Sequence, residues 1–161
     1  ELTYVGLTSG TKKNEVFIAT RAGFAIRFSE EDVRSMGRTA AGVKGINLRK
    51  DDFVVSAAIV NPETDLDKLS VLTITDEGYG KRTSLKEYKV QTRGGKGIIN
   101  LKVNDKTGKI VDVKIVDNET EIMLITSEGT LIRTKVDSIS VIGRSTSGVR
   151  IMKVRNEENT H

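Results

Sequence analysis

Apolar and polar residues alternate in short runs along the chain, and no long stretch carries a helical period. Runs rich in Val, Ile and Thr stand at 15–20, 24–28, 53–60, 70–75, 110–116, 121–126, 130–135 and 149–154. Several alternate in the way of strands with one buried face. The one proline, Pro62, lies between runs, and residues 30–36 suggest at most a single helical turn. The pattern predicts an all-β chain.

The runs repeat. Three begin with a strand ending in Thr, then two residues, then Gly: Thr20-Arg-Ala-Gly23, Thr75-Asp-Glu-Gly78 and Thr126-Ser-Glu-Gly129. Gly at such a place supplies the positive φ that a short hairpin loop needs. Four residues after each Gly comes an arginine, Arg27, Arg82 or Arg133. A second signature follows: Arg38-Thr-Ala-Ala-Gly42-Val-Lys44, Arg93-Gly94-Gly-Lys96-Gly and Arg144-Ser-Thr-Ser-Gly148-Val-Arg150. Aligned on Gly42, Gly94 and Gly148, its copies are spaced 52 and 54. An outer strand follows in the first two copies, and residues 2–7 read as the same strand of a preceding copy. A period near 50 with four strands per unit predicts propeller-like blades. The expected boundaries are residues 1–9 as the last strand of a preceding blade, 15–60 and 70–116 as blades, and 121–154 as an incomplete one. The opening inside a strand marks the chain as a piece of something longer.

Composition narrows the function. With no Cys among 161 residues, disulfides and thiolate metal sites are excluded. Aromatics make up 4%, and Trp is absent, so base stacking is not the expected recognition mode. No apolar run approaches the roughly 18 residues of a membrane helix, and nothing resembles a signal peptide. The net charge is +4, unevenly placed: residues 79–114 hold ten Lys and Arg against three acids. Such a block is the footprint of a phosphate binder, although an unevenly charged solvated face would look alike.

Enzyme chemistry finds little to use. The single histidine is His161, the last residue, so no His-based triad is available. Residues 37–44 mimic a phosphate-binding loop but lack a Ser or Thr after Lys44 and a following helix. Asp51-Asp52 and the Asp65/Asp67 pair read as turn acids. The sharpest segment is Gln91-Thr-Arg93-Gly94-Gly95-Lys96-Gly97. Its glycines permit close approach of backbone to another surface, Arg93 and Lys96 suit phosphate, and Gln91 can donate to a phosphate or a groove edge. The bland alternative is a soluble, bulged turn. Lys81 is expected to contact DNA, because Ile26 and Ile132 stand at its place in the other copies. For Arg27, Arg82 and Arg133, a bond to a carbonyl of the neighbouring blade is as good a reading as DNA contact. Lys86, Lys89, Arg38, Lys44, Arg144 and Arg150 complete the candidate track, with Glu30, Glu31 and Asp32 interrupting it.

Tyr79-Gly-Lys-Arg-Thr-Ser, the Gln91–Gly97 segment, Met36-Gly-Arg-Thr-Ala-Ala-Gly-Val-Lys-Gly45 and Ile142-Gly-Arg-Ser-Thr-Ser-Gly-Val-Arg150 together resemble the C-terminal domain of the bacterial DNA gyrase A subunit, over nearly the whole chain. The resemblance implies a β-pinwheel: six blades in a ring, strands exchanged between neighbours, and DNA bent around a basic rim in support of ATP-driven negative supercoiling. About three four-stranded blades would be present here. The family's hallmark box, Gln-(Arg/Lys)-Arg-Gly-Gly-(Arg/Lys)-Gly, is matched by Gln91, Arg93, Gly94, Gly95, Lys96 and Gly97, and Thr92 departs from it. The segment follows a complete unit, so it reads as a box-like loop of a later blade in the C-terminal half of the domain.

The resemblance further implies that the catalytic tyrosine lies in another domain, so Tyr4, Tyr79 and Tyr88 take no such role. It implies three partners: double-stranded DNA, the rest of the gyrase A subunit, and the gyrase B subunit. ATP and Mg would be used elsewhere in the holoenzyme, with no cofactor in this fragment. The implied location is cytoplasmic and nucleoid-associated, without membrane contact. Residues 2–7 of one copy filling the third unit of another would give a fragment homodimer. Two other readings stay open: the C-terminal domain of the topoisomerase IV A subunit, and a propeller-like module for an acidic protein partner.

Overall fold

The Thr-x-x-Gly signals do make hairpins. In a computed structural model, which describes residues 1–10 and 13–154, β1 (Glu15–Thr20) pairs antiparallel with β2 (Phe24–Ser29), β4 (Ser70–Thr75) with β5 (Tyr79–Ser84), and β9 (Glu121–Ile125) with β10 (Leu131–Lys135). β3 (Val54–Val60) and β8 (Ile110–Val116) add to β1 and β4 on the far side of each hairpin. The expected helical turn is a short 3-10 turn, Glu30–Asp32. β5 escapes the apolar pattern because Gly80, Lys81 and Arg82 fill its centre, yet all three are buried.

In the first two sheets the fourth position comes from the next repeat. β6 (Val90–Gln91) lies parallel to β2, pairing Arg27 with Val90, while β7 (Ile98–Ile99) lies antiparallel to it, pairing Phe24 with Ile99. One repeat on, Val141 bridges Arg82 and β11 (Val149–Arg150) pairs with Gly80 and Tyr79. This is the strand exchange of a β-pinwheel. It gives the free edges of the first two hairpins their hydrogen-bond partners, while β9 and β10 pair only with each other among the described residues.

The same register corrects the alignment of the second signature. Gly97, rather than Gly94, is the counterpart of Gly42 and Gly148. Those three are spaced 55 and 51, as are the hairpin glycines Gly23, Gly78 and Gly129. Gly97 has φ +75° and Gly148 φ +78°; a Cβ on either would sit 2.5 or 2.6 Å from the carbonyl oxygen of Ala25 or Gly80, which are themselves equivalent.

The core lies between sheets. Phe17, Ala19, Ala25 and Val60 of the first sheet meet Val71, Leu85, Tyr88, Ile110 and Val113 of the second repeat. Tyr88 packs edge-on against Phe17, with ring centroids 5.2 Å apart. Leu72, Val116, Val136 and Ile139 form the next core, between the second and third repeats. β4 is therefore covered on both faces and five of its six residues are buried, whereas burial alternates along β9 and leaves Met123 and Ile125 exposed. Ser56 Oγ donates to the Val113 carbonyl at 2.7 Å, joining β3 to β8. That junction lies at the sheet edges opposite the glycine loops, so both loops share one side of the molecule.

Two expected strands differ. Residues 1–10 form no strand, for an extended segment needs a sheet edge and this one finds none among the described residues; Leu2, Val5 and Leu7 stay exposed. The run 149–154 is strand only over Val149–Arg150.

Gly97→Ala should destabilise the protein by about 2–4 kcal/mol, combining left-handed strain of about 1–2 kcal/mol with the carbonyl clash. At Gly42 (φ +83°) a Cβ meets nothing within 4 Å, so Gly42→Ala should cost only the strain. Urea unfolding of both variants measures the difference.

Candidate nucleic-acid interface

At the first seam, the box-like loop of the second repeat lies on the glycine segment of the first. The Gly94 amide donates to the Gly45 carbonyl at 2.7 Å, and the Asn47 amide to the Gly95 carbonyl at 2.8 Å. Arg93 reaches back: its Nη1 donates to the Lys44 carbonyl at 2.9 Å and its Nε to the Asp32 carbonyl at 3.0 Å. The Asp32 carboxylate accepts from the Arg93 amide at 3.3 Å. On the other side, Arg49 donates to the Lys96 carbonyl at 2.7 Å while its guanidinium stacks 3.5 Å from the Phe24 ring centroid. Beneath the loop is an apolar floor: Ile26, buried with Phe28 and Ile46.

The second seam repeats this plan. Arg144 Nη1 donates to the Ile99 carbonyl at 2.6 Å, and the Lys102 amide to the Thr146 carbonyl at 3.0 Å. The floor differs. Where Ile26 stands in the first seam, Lys81 is fully buried, and its ammonium donates to the carbonyls of Gly143 (3.0 Å), Arg144 and Thr146 (3.3 Å) and to Thr146 Oγ1 (3.2 Å). Burial pushes Lys81 down to about 8; the Glu87 carboxylate opposes this and the Arg144 charge adds to it.

Two of the three recurring hairpin arginines, Arg27 and Arg82, bond across to the next repeat. Arg27 is buried, ion-paired with Glu15, and donates to the carbonyls of Leu85 (3.4 Å) and Tyr88 (3.0 Å) of the next repeat. Arg82 donates through Nε to the Ile139 carbonyl and through Nη1 to Asn118 Oδ1, both at 2.7 Å. Arg133 pairs with Glu121 in an exposed position.

A model of the "DNA gyrase C-terminal domain, beta-propeller" family matches residues 14–61, 69–117 and 120–159. The chain belongs to that family. Among curated gyrase chains, the DNA gyrase A subunit of Lawsonia intracellularis is 50% identical over 144 residues, covering 89% of this chain and 17% of the relative. The DNA gyrase A subunit of Salmonella typhimurium is 46% identical over 159 residues, covering 99% and 17%. Among solved structures, a DNA gyrase A C-terminal domain superposes with a TM-score of 0.80 at 27% identity, covering 90% of this chain and 48% of that one. The C-terminal domain of a DNA topoisomerase IV also gives 0.80, at 28% identity, covering 88% and 43%. The chain thus spans about a sixth of the length of these full-length gyrase relatives.

Within this gyrase C-terminal domain the candidate residues divide into two groups. Arg38, Lys44, Lys86, Lys89, Lys96 and Arg150 are exposed, with Lys86 paired to Asp67. Gln91, Arg93, Gly94, Gly97 and Arg144 are half-buried, and Gly95 is exposed. Lys81 and Arg82, expected as contacts on an outer surface, are instead buried, with the Lys81 ammonium and the Arg82 Nε and Nη1 on protein oxygens. Lys81 clamps the loop of the next repeat, and Arg82 latches that repeat's 3-10 turn. Sequence reasoning missed Arg49, Asn47 and the bonding role of Asp32, which lie outside the signatures. Among the described residues no group of His, Cys, Asp or Glu could hold a metal, and no helix is long and apolar enough to cross a membrane. His161 lies outside the described residues.

A depressed Lys81 means that the unfolded chain, with an ordinary lysine near 10.4, binds the proton more tightly. Stability should therefore rise as pH climbs from about 8 to about 10, relative to a Lys81→Met variant. Paired denaturation curves test this; a flat difference across that window means an ordinary lysine.

Proposed function

We propose that this domain binds the backbone of duplex DNA along the side that carries the two glycine loops, and bends the duplex there. The observation that carries the reading is the seam architecture. Loop carbonyls are drawn onto internal amides, guanidinium groups and an ammonium, while Lys96, Lys44, Lys89 and Arg38 stand exposed with no carboxylate partner among the described residues. Cations without a carboxylate partner among the described residues attract phosphate and release its counterions. Contacts to the backbone carry little sequence information, so preference among duplexes should follow their bending cost.

In the whole protein this binding would support negative supercoiling by DNA gyrase, in partnership with the B subunit. Gyrase rather than topoisomerase IV is favoured by the curated relatives, which are A-type chains of gyrase at 50% and 46% identity. Arg93 is a strut that shapes the loop, and Lys96 is its phosphate contact.

Contact with about six phosphates predicts a slope of log affinity against log salt near −5. Lys96→Ala should make that slope shallower by about one with unchanged stability, whereas Arg93→Ala should lower stability as well. Salt titration on a short duplex, beside urea melts, separates the two. A slope near zero for the wild type would sink the proposal.

A further inference from the structure

The second seam carries a cluster that the first lacks. Tyr79 opens β5 and pairs in register with Arg150 of β11. Its ring is buried at 7% exposure, with the Arg150 guanidinium 5.3 Å and the Lys106 ammonium 5.9 Å from the ring centroid. Arg150 Nη2 donates to the Tyr79 hydroxyl at 3.4 Å. The turn that presents Lys106 is fixed: Asn104 Oδ1 accepts from the amides of Lys106 (3.0 Å) and Thr107 (2.9 Å), and the Asn104 carbonyl from the Gly108 amide (3.0 Å).

Two cations thus converge on one phenol. Neither is in an ion pair among the described residues, and both are exposed. The hydrogen bond from Arg150, with the charges of Arg150 and Lys106, holds the phenol below its ordinary value although burial works against this. The phenol hydroxyl accepts from Arg150, and no hydrogen bond from it to an acceptor occurs among the described residues. The equivalent pair in the first seam is Phe24 and Ile99, which has no hydroxyl, and the Arg49 guanidinium stacked on Phe24 is bonded to the Lys96 carbonyl.

We propose that the Tyr79 hydroxyl, the Arg150 guanidinium and the Lys106 ammonium form a binding site for a phosphate oxygen of the DNA backbone, specific to the second seam. The choice of DNA as the source of that phosphate rests on the function proposed above. Three donors from β5, β11 and the turn at 104–108 gather around one ring, and an anion there completes their hydrogen bonding and their charge together. The duplex would then touch the seam where Lys81 replaces an apolar floor, in addition to the box-like loop.

The test is a salt titration of duplex binding by the whole chain, comparing wild type with Lys106→Ala/Arg150→Ala and with Tyr79→Phe. The double variant should make the slope shallower by about two, since two cations leave the contact. Tyr79→Phe restores the residue type found at Phe24 and should fold normally, keep the slope and weaken binding about three- to tenfold. Normal wild-type binding with an unchanged slope in the double variant overturns the site and leaves the DNA reading standing. If the wild type fails to bind DNA, that reading falls, and inorganic phosphate at matched ionic strength decides the site. A rise in the Tyr79 ionisation midpoint in wild type but not in the double variant then shows a free-phosphate site, and no rise overturns the proposal.

Discussion

A hairpin has two edges, and each edge carries unpaired amide and carbonyl groups that must find partners. Here one edge is met by a strand of the same repeat and the other by two short pieces of the next repeat, β6 and β7 on β2, and Val141 and β11 on β5. The remaining features follow from that rule. The donated pieces must turn back sharply between their two contacts, which requires Gly97 and Gly148 at positive φ against the carbonyls of Ala25 and Gly80. The turn brings a loop to every seam, always on the same side. The sheets it joins bury their faces against each other, so the core belongs to pairs of repeats rather than to single ones.

The seams also decide where charge is spent and where it is left over. Arg27, Arg82, Arg93, Arg144 and Lys81 all donate to backbone carbonyls across a seam. A carbonyl satisfies a hydrogen bond without cancelling a charge. Arg27 is neutralised by Glu15, but the other four tie the repeats together with cations that are in no ion pair among the described residues and so keep positive potential for whatever lies outside. A seam built from carboxylates and lysines would be as well bonded and would attract no polyanion.

Much of the fold was legible because hairpin chemistry is local. Thr-x-x-Gly with flanking β-branched runs fixes a turn, and the boundaries of β1, β4 and β8 coincide with the expected runs. The exchange of strands was legible only through family resemblance, since pairing between repeats leaves no trace in any one run. β5 was obscured by burial on both faces: its Gly80-Lys81-Arg82 looks like surface, and only the carbonyls of residues 139 and 143–146 make it interior. The site suffered the same confusion. A basic residue in a repeat reads as an outer contact until the partner repeat is placed beside it, which is why the burial of Lys81 and the bonds of Arg93 to the Lys44 and Asp32 carbonyls were not foreseen. The fork in the reading of the hairpin arginines resolved toward the neighbouring repeat's carbonyls for Arg27 and Arg82.

The two floors, Ile26 under one loop and Lys81 under the other, give the molecule joints of different thermal character. Burial of apolar surface loses strength on cooling, because its driving force near room temperature is largely entropic. A buried ammonium follows a different law, since the cost of taking its charge out of water itself changes with temperature. The two joints therefore change with temperature by different amounts, and flexing shared evenly between them at one temperature is shared unevenly at another. With Ile in both places, the molecule would stiffen and relax as a single unit.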